Sequence, residues 1–160
     1  MEAEKFDEKK NLIHLIERGG VFSQLPGTSP AEVLSGLISA LALTDPEGLL
    51  QAVLEREALM STAVGHGIAL PHPRNPAAAE LQDERVAVGF LSRPVDWKAL
   101  DRQPVHTVLL ILSSSAKTHL HTLSRINFFC QQESFRELLR NRASQQTIID
   151  VIREAEKAWL

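Results

Sequence analysis

Three residues far apart in the chain, Arg56, His72 and His119, have side chains suited to holding or moving a phosphoryl group. His72 stands between Pro71 and Pro73. Each proline fixes its own φ near about −65°, and Pro73 also pushes His72 out of the helical region toward extended backbone. The imidazole is therefore presented by a stiff chain, and a neutral imidazole near pH 7 is available and basic enough to act as a nucleophile toward phosphorus. Gly65 and Gly67, just upstream, leave room for a tight turn or for a ligand to approach the main chain. The short apolar run Ile68 to Leu70 reads as a strand that delivers His72 to a sheet edge. The same residues also fit an ordinary turn after an edge strand.

His119 follows Ser113-Ser114-Ser115 at the start of an apolar helical pattern. Ser115 is placed to cap that helix, and His119 then falls in or near its first turn, where unpaired N–H groups and the macrodipole favour an anion. Arg56 falls at the C-terminal end of an earlier helix and can offer phosphate oxygens two parallel hydrogen bonds. Together the three residues form a coherent phosphohistidine site with His72 as acceptor and His119 and Arg56 stabilising charge. Singly they are less telling: Arg56 also suits a solvated helix end, and His119 a residue of a helix N-terminus.

Other chemistries fit less well. Zinc needs three or four convergent ligands, and His119 and His121, two apart on a helix, project about 200° apart. Only a strand would let that pair face one ion. The three serines follow a strand and precede a helix, but a nucleophile elbow needs flanking glycines and the run Leu112 to Ala116 has none. No cofactor is called for.

The elements that must position these residues are marked by caps and periodicity. Ser29-Pro30-Ala31-Glu32 is a capping box with proline at the first helical position, followed by Val33, Leu37, Ile38 and Leu41 at helical spacing. Asp45-Pro46 opens a second helix, with Leu49, Leu50, Val53 and Leu54 as its apolar face up to about Glu57. Val86 to Leu91 and Val105 to Leu112 read as inner strands buried on both faces, with Pro94 and Asp96 to Gln103 in the connection. A helix from Ala116, carrying Leu120, Leu123, Ile126 and Phe129, and two more near Phe135 to Arg140 and Gln145 to Lys157 complete the pattern. The architecture expected is α/β, a helix/sheet/helix sandwich.

The chain of 160 residues is long enough for one domain, expected over residues 21–160, with residues 1–20 a flexible N-terminal segment or short linker helix. Residues 1–10 carry seven charged side chains and little to bury, and Leu12, Ile13, Leu15 and Ile16 suit one amphipathic helix before Gly19-Gly20. A hydrophobic share of 44% and a charged share of 23% are those of an ordinary globular protein. With a net charge of −3, no basic stripe and no tyrosine, the chain offers nucleic acid little to bind. Its apolar runs fall far short of a membrane span and the N-terminus is too charged for a secretory signal, so no membrane insertion and a cytoplasmic setting are expected. The single cysteine, Cys130, forms no internal disulfide and lies in an apolar helical stretch that suits packing.

Three segments resemble the type-2 IIA domains of the bacterial phosphoenolpyruvate-dependent phosphotransferase system, of the fructose, mannitol and nitrogen-regulatory kind. They are Arg56-Glu57 with Ser61-Thr62 and Gly67-Ile-Ala-Leu-Pro-His72, the strand Val105 to Leu112, and Thr118-His-Leu-His-Thr-Leu123. The resemblance runs from about Val21 to the C-terminus. It implies a mixed sheet of about five strands sandwiched between helices on both faces. It also implies that His72 takes phosphate on Nε2 from the histidine-containing phosphocarrier protein, with His119 as the second active-site histidine and Arg56 as the active-site arginine. Sugar-specific members pass the phosphate to a IIB domain, whereas the nitrogen-regulatory branch, which the run Lys117 to Ser124 is most similar to, signals through regulated target proteins. Pro73 departs from the family's usual glycine, and His66 from a usually uncharged residue, so His66 is expected to couple to His72. A protein-binding module that keeps the fold and carries no phosphate is the rival these departures suggest.

Overall fold

The computed structural model describes residues 11–75 and 84–158, so the fraying expected of residues 1–10 lies outside the described residues. Eleven elements follow one another in the described chain: α1 (Leu12–Gly19), β1 (Val21–Leu25), α2 (Pro30–Ala40), α3 (Pro46–Leu59), β2 (Ala63–Gly65), β3 (Ile68–Ala69), β4 (Arg85–Val95), β5 (Val105–Leu112), α4 (Ala116–Cys130), α5 (Glu133–Arg140) and α6 (Gln145–Lys157). The strands form one mixed sheet in the order β1-β4-β5-β3-β2. β1 runs parallel to β4 and β3 parallel to β5, while β4/β5 and β2/β3 are antiparallel.

Alternation along the two central strands divides the core into two layers. Val86, Val88 and Phe90 of β4 with Leu109 and Ile111 of β5 pack under α1, α4, α5 and α6. Ala87 and Leu91 with Val108, Leu110 and Leu112 pack under α2 and α3. The sequence therefore produces the expected sandwich because both faces of β4 and β5 are apolar and each finds helices to cover it.

The caps form largely as the sequence dictates. Ser29, Asp45 and Ser115 accept from the backbone N–H groups of Glu32, Gly48 and Thr118 at 3.2, 3.0 and 3.1 Å. The return half of the capping box is displaced by one residue: Glu32 Oε2 accepts the N–H of Thr28, at 2.9 Å, rather than that of Ser29.

Three expectations are corrected. The packed unit does not begin at Val21, because Leu12, Ile13, Leu15 and Ile16 of α1 are buried in the larger core cluster. Gly19 is what lets that helix sit down: a Cβ there would lie 1.9 Å from the carbonyl oxygen of Val86. Pro94 lies inside β4 rather than in the connection. It falls in the register irregularity between Phe90 and Val95, beyond the last β1 partner, Leu91, where a missing N–H breaks no regular ladder. Finally, β3 is not an edge, since β2 folds back to cover it.

Among the described residues no helix is long and apolar enough to cross a membrane.

Candidate functional site

The parallel pairing of β3 with β5 extends past Ala69, with the N–H of Ile111 donating to the carbonyl of Pro71 at 3.0 Å. This carries the chain along β5 to His72, with Pro71 and Pro73 both buried and His72 half-buried. The N–H of Arg74 then donates to the carbonyl of Ala52 on α3, at 3.0 Å. Both sides of His72 are thus anchored. Pro73 has no N–H and that of Arg74 is already bonded, so the two residues after His72 offer an anion no backbone donor.

His72 Nδ1 lies 2.8 Å from the carbonyl oxygen of Leu70. A carbonyl oxygen only accepts, so the proton sits on Nδ1 and the lone pair is left on Nε2. Burial lowers the His72 pKa first, and the nearby Arg56 guanidinium lowers it further, against raising contributions from the Leu70 hydrogen bond and the Glu57 carboxylate. The ring is neutral near pH 7, as a nucleophile needs to be.

α4 brings His119 to the same place. Its ring centroid is 4.7 Å from that of His72, with the planes tilted by 48°. His119 is 5% exposed and its Nδ1 has no hydrogen-bond partner among the described residues. Burial, then His72, then Arg56 push its pKa down to about 4. The helix-start contribution is smaller than the spacing suggests. The N–H of His119 already bonds the Ser115 carbonyl at 3.0 Å, and that of Thr118 the Ser115 hydroxyl at 3.1 Å, so two donors of the first turn are spent.

Arg56, in the last turn of α3, lowers the pKa of both histidines, which places its charge within reach of each. One guanidinium nitrogen, Nη1, donates to the carbonyl of Met60 at 2.7 Å and so closes the C-terminus of its own helix. The guanidinium keeps further N–H donors beyond that one bond. The helix-end reading of Arg56 and the site reading therefore hold at once.

His66 lies elsewhere. It and Gly67, with φ of 57° and 79°, are the two central residues of the β2–β3 hairpin, a type I′ pattern. The N–H of His66 donates to Asp101 at 2.9 Å, and His66 is not among the groups acting on His72. The expected coupling of His66 to His72 is corrected: the two histidines sit at opposite ends of β3. The glycines at 65 and 67, with φ of 90° and 79°, serve that hairpin.

Other side chains fall into packing roles. His121 is half-buried on α4, and among the described residues no three His, Cys, Asp or Glu side chains group as a metal site. Ser115 caps α4, and Ser114 donates to the buried Glu84 through its N–H and hydroxyl, at 3.3 and 3.2 Å. Cys130 is buried, which pushes its thiol pKa up to about 12.

One member of the site, Glu57, falls within the segments that carry the resemblance, but its role is not read from the sequence. Glu57 Oε2 accepts the N–H of Thr62 at 2.7 Å, while Oε1 accepts the Thr62 hydroxyl at 2.6 Å and the Trp97 indole N–H at 2.8 Å. Trp97 lies 40 residues further along, so only the folded sheet reveals that contact.

Comparison with known proteins gives the family and the fold. The family described as phosphoenolpyruvate-dependent sugar phosphotransferase system, EIIA 2, matches residues 15–155. The chain is 34% identical over 128 residues to the PTS system fructose-specific EIIABC component of Bacillus subtilis, covering 79% of this chain and 20% of that protein. It is 32% identical over 131 residues to the nitrogen regulatory protein of Escherichia coli, covering 78% of this chain and 77% of the relative. Among solved structures, nitrogen regulatory protein IIA-Ntr from Neisseria meningitidis superposes with a TM-score of 0.72 at 24% identity, covering 84% of this chain and 93% of that one. With nearly the whole span from α1 to α6 inside the match, the chain belongs to the EIIA type-2 family of the phosphoenolpyruvate-dependent sugar phosphotransferase system.

Proposed function

We propose that the chain carries a phosphoryl group on Nε2 of His72, received from the histidine-containing phosphocarrier protein. The observation that carries this reading is the bond from His72 Nδ1 to the Leu70 carbonyl, which leaves Nε2 as the nucleophilic nitrogen beside His119 and Arg56. As the N–P bond to Nε2 forms, the N–P bond to the donor histidine breaks and its electron pair returns to the donor nitrogen. No water takes part, and the phosphoryl charge is met by the Arg56 guanidinium and by His119.

The output we propose is regulatory: the phosphorylation state is read by a target protein in the cytoplasm, as the similarity to nitrogen regulatory proteins supports. A second reading, transfer onward to a IIB domain during fructose- or mannitol-type uptake, is supported by the similarity to a fructose-specific EIIABC component.

The test is incubation with phosphoenolpyruvate and the two general phosphotransferase proteins, followed by intact-mass measurement. One acid-labile phosphoryl group on the wild type and none on His72→Ala is the expected result. No adduct on the wild type, or an undiminished adduct on His72→Ala, sinks the assignment. Adding a purified IIB domain to the phosphorylated chain then separates the two outputs.

A further inference from the structure

We propose that Glu57 is the positioning residue of the phosphoryl site, fixing the tautomer and pose of His72 through a hydrogen-bonded tie that runs by way of Thr62 and Leu70. This rests on the reading of His72 as phosphoryl acceptor.

The tie is continuous. Glu57 Oε2 accepts the Thr62 N–H at 2.7 Å, the Thr62 carbonyl accepts the Leu70 N–H at 3.0 Å, and the Leu70 carbonyl accepts His72 Nδ1–H at 2.8 Å. Each bond joins a different stretch of chain: the end of α3, the entry to β2, and the exit of β3. The Leu70 carbonyl can hold the imidazole only if its own residue is held: its neighbours Ala69 and Pro71 pair with β5, and Thr62 takes the N–H of Leu70 itself.

Glu57 is also braced from the far side. Trp97, 2% exposed, donates its indole N–H to Glu57 Oε1 at 2.8 Å, and its carbonyl accepts the Ser61 hydroxyl at 2.5 Å. Two carboxylate oxygens thus take three donors, two from Thr62 and one from Trp97. A carboxylate suits this position because it only accepts; an amide would turn an N–H toward one of those donors. Glu57 acts through Thr62 and Leu70 and does not itself touch the phosphoryl group. Arg56, one residue earlier and about 100° around the helix, supplies the positive charge that acts on both histidines.

The experiment is nitrogen-15 NMR of the His72 side chain, together with the rate of phosphoryl transfer, in the full chain. The wild type should show the Nδ1–H tautomer. Glu57→Gln should show a mixture of tautomers, a transfer rate at least about tenfold lower, and a His72 titration midpoint at lower pH. Glu57→Asp, which keeps the charge and shortens the reach, should also mix the tautomers while the titration midpoint moves less; it decides the matter if Glu57→Gln does not fold. Trp97→Phe, which leaves the Thr62 tie in place, should keep the wild-type tautomer.

A wild-type tautomer and transfer rate in the folded Glu57 variants overturns the proposal, as does tautomer mixing in Trp97→Phe alone. The tautomer needs no phosphoryl donor to be measured. A wild type that takes up no phosphate therefore sinks the functional reading and leaves the positioning role to stand or fall on the NMR.

Discussion

The rings of His72 and His119 lie 4.7 Å apart; burial and the Arg56 guanidinium lower the pKa of both, and His72 lowers that of His119 as well. Two imidazolium ions at that separation next to Arg56 would repel strongly, so the pair is held neutral.

Stability should therefore fall as acid is added through this pair's range. His119 titrates near 4 in the folded chain and near 6.5 when unfolded, so between those values the unfolded state binds more protons. The histidine contribution is complete above about pH 6.5 and is lost as pH falls toward 4, amounting to at most roughly 3 kcal/mol. Urea unfolding at a series of pH values checks this. His119→Gln should flatten the slope across that window, and an unchanged slope in the variant would show that His119 is not the group responsible.

Arg56 lowers both histidine pKa values, so Arg56→Gln should raise both. The sign follows from removing a positive charge beside groups that become positive on protonation. Proton NMR titration of the two imidazoles reads it directly, and a downward movement of either midpoint contradicts the placement of Arg56. The variant should also lose the Nη1 bond to the Met60 carbonyl, a modest loss at an exposed helix end. Phosphoryl uptake is expected to suffer far more than stability.

Local signals and long-range ones were unequally legible in this sequence. Ser29, Asp45 and Ser115 announce their helices because a cap acts on N–H groups within three residues of itself. The strands β4 and β5 are legible because both faces are apolar. β1 and β2 are not: Val21–Leu25 has the exposed residues Ser23 and Gln24 side by side, and Ala63–Gly65 is three residues long, so neither has alternation to display. His72 and Arg56 stand out through their neighbours in sequence. The Glu57 bond to Trp97, the closeness of His72 to His119, and the separation of His66 from His72 are products of sheet order, which no local pattern encodes. Family resemblance bridges that gap for His119, and for Glu57 it marks the residue without giving its role.

Removing residues 1–20 should unfold the chain rather than trim a linker. Leu12, Ile13, Leu15 and Ile16 are each 7% exposed or less, and burial of such side chains contributes about 1.5–3 kcal/mol apiece. Their sum rivals the roughly 5–15 kcal/mol that holds a domain together. Gly19→Ala asks the same question with one methyl group, since its Cβ would meet the Val86 carbonyl and force α1 off β4. Thermal unfolding followed by circular dichroism should show no cooperative transition for the truncation and a clearly lowered midpoint for Gly19→Ala. A truncated chain with wild-type cooperativity would restore the boundary at Val21.

Two glycine replacements of opposite sign separate backbone need from accident. Gly67 has φ of 79°, and a Cβ there would lie 2.3 Å from Cδ2 of His106, whose Nδ1 is bonded to Thr107 Oγ1 at 2.7 Å. The ring cannot swing aside without giving up that bond, so Gly67→Ala combines left-handed strain of roughly 1–2 kcal/mol with a steric clash. Gly36, inside α2, has nothing within 4 Å of its would-be Cβ. Gly36→Ala should therefore stabilise by about 0.4–1 kcal/mol, because the unfolded chain loses freedom and the helix loses nothing. Denaturant midpoints at constant slope measure both. If Gly67→Ala proves neutral, the hairpin can be rebuilt without its positive φ, and the path by which β3 reaches His72 is less constrained than the geometry indicates.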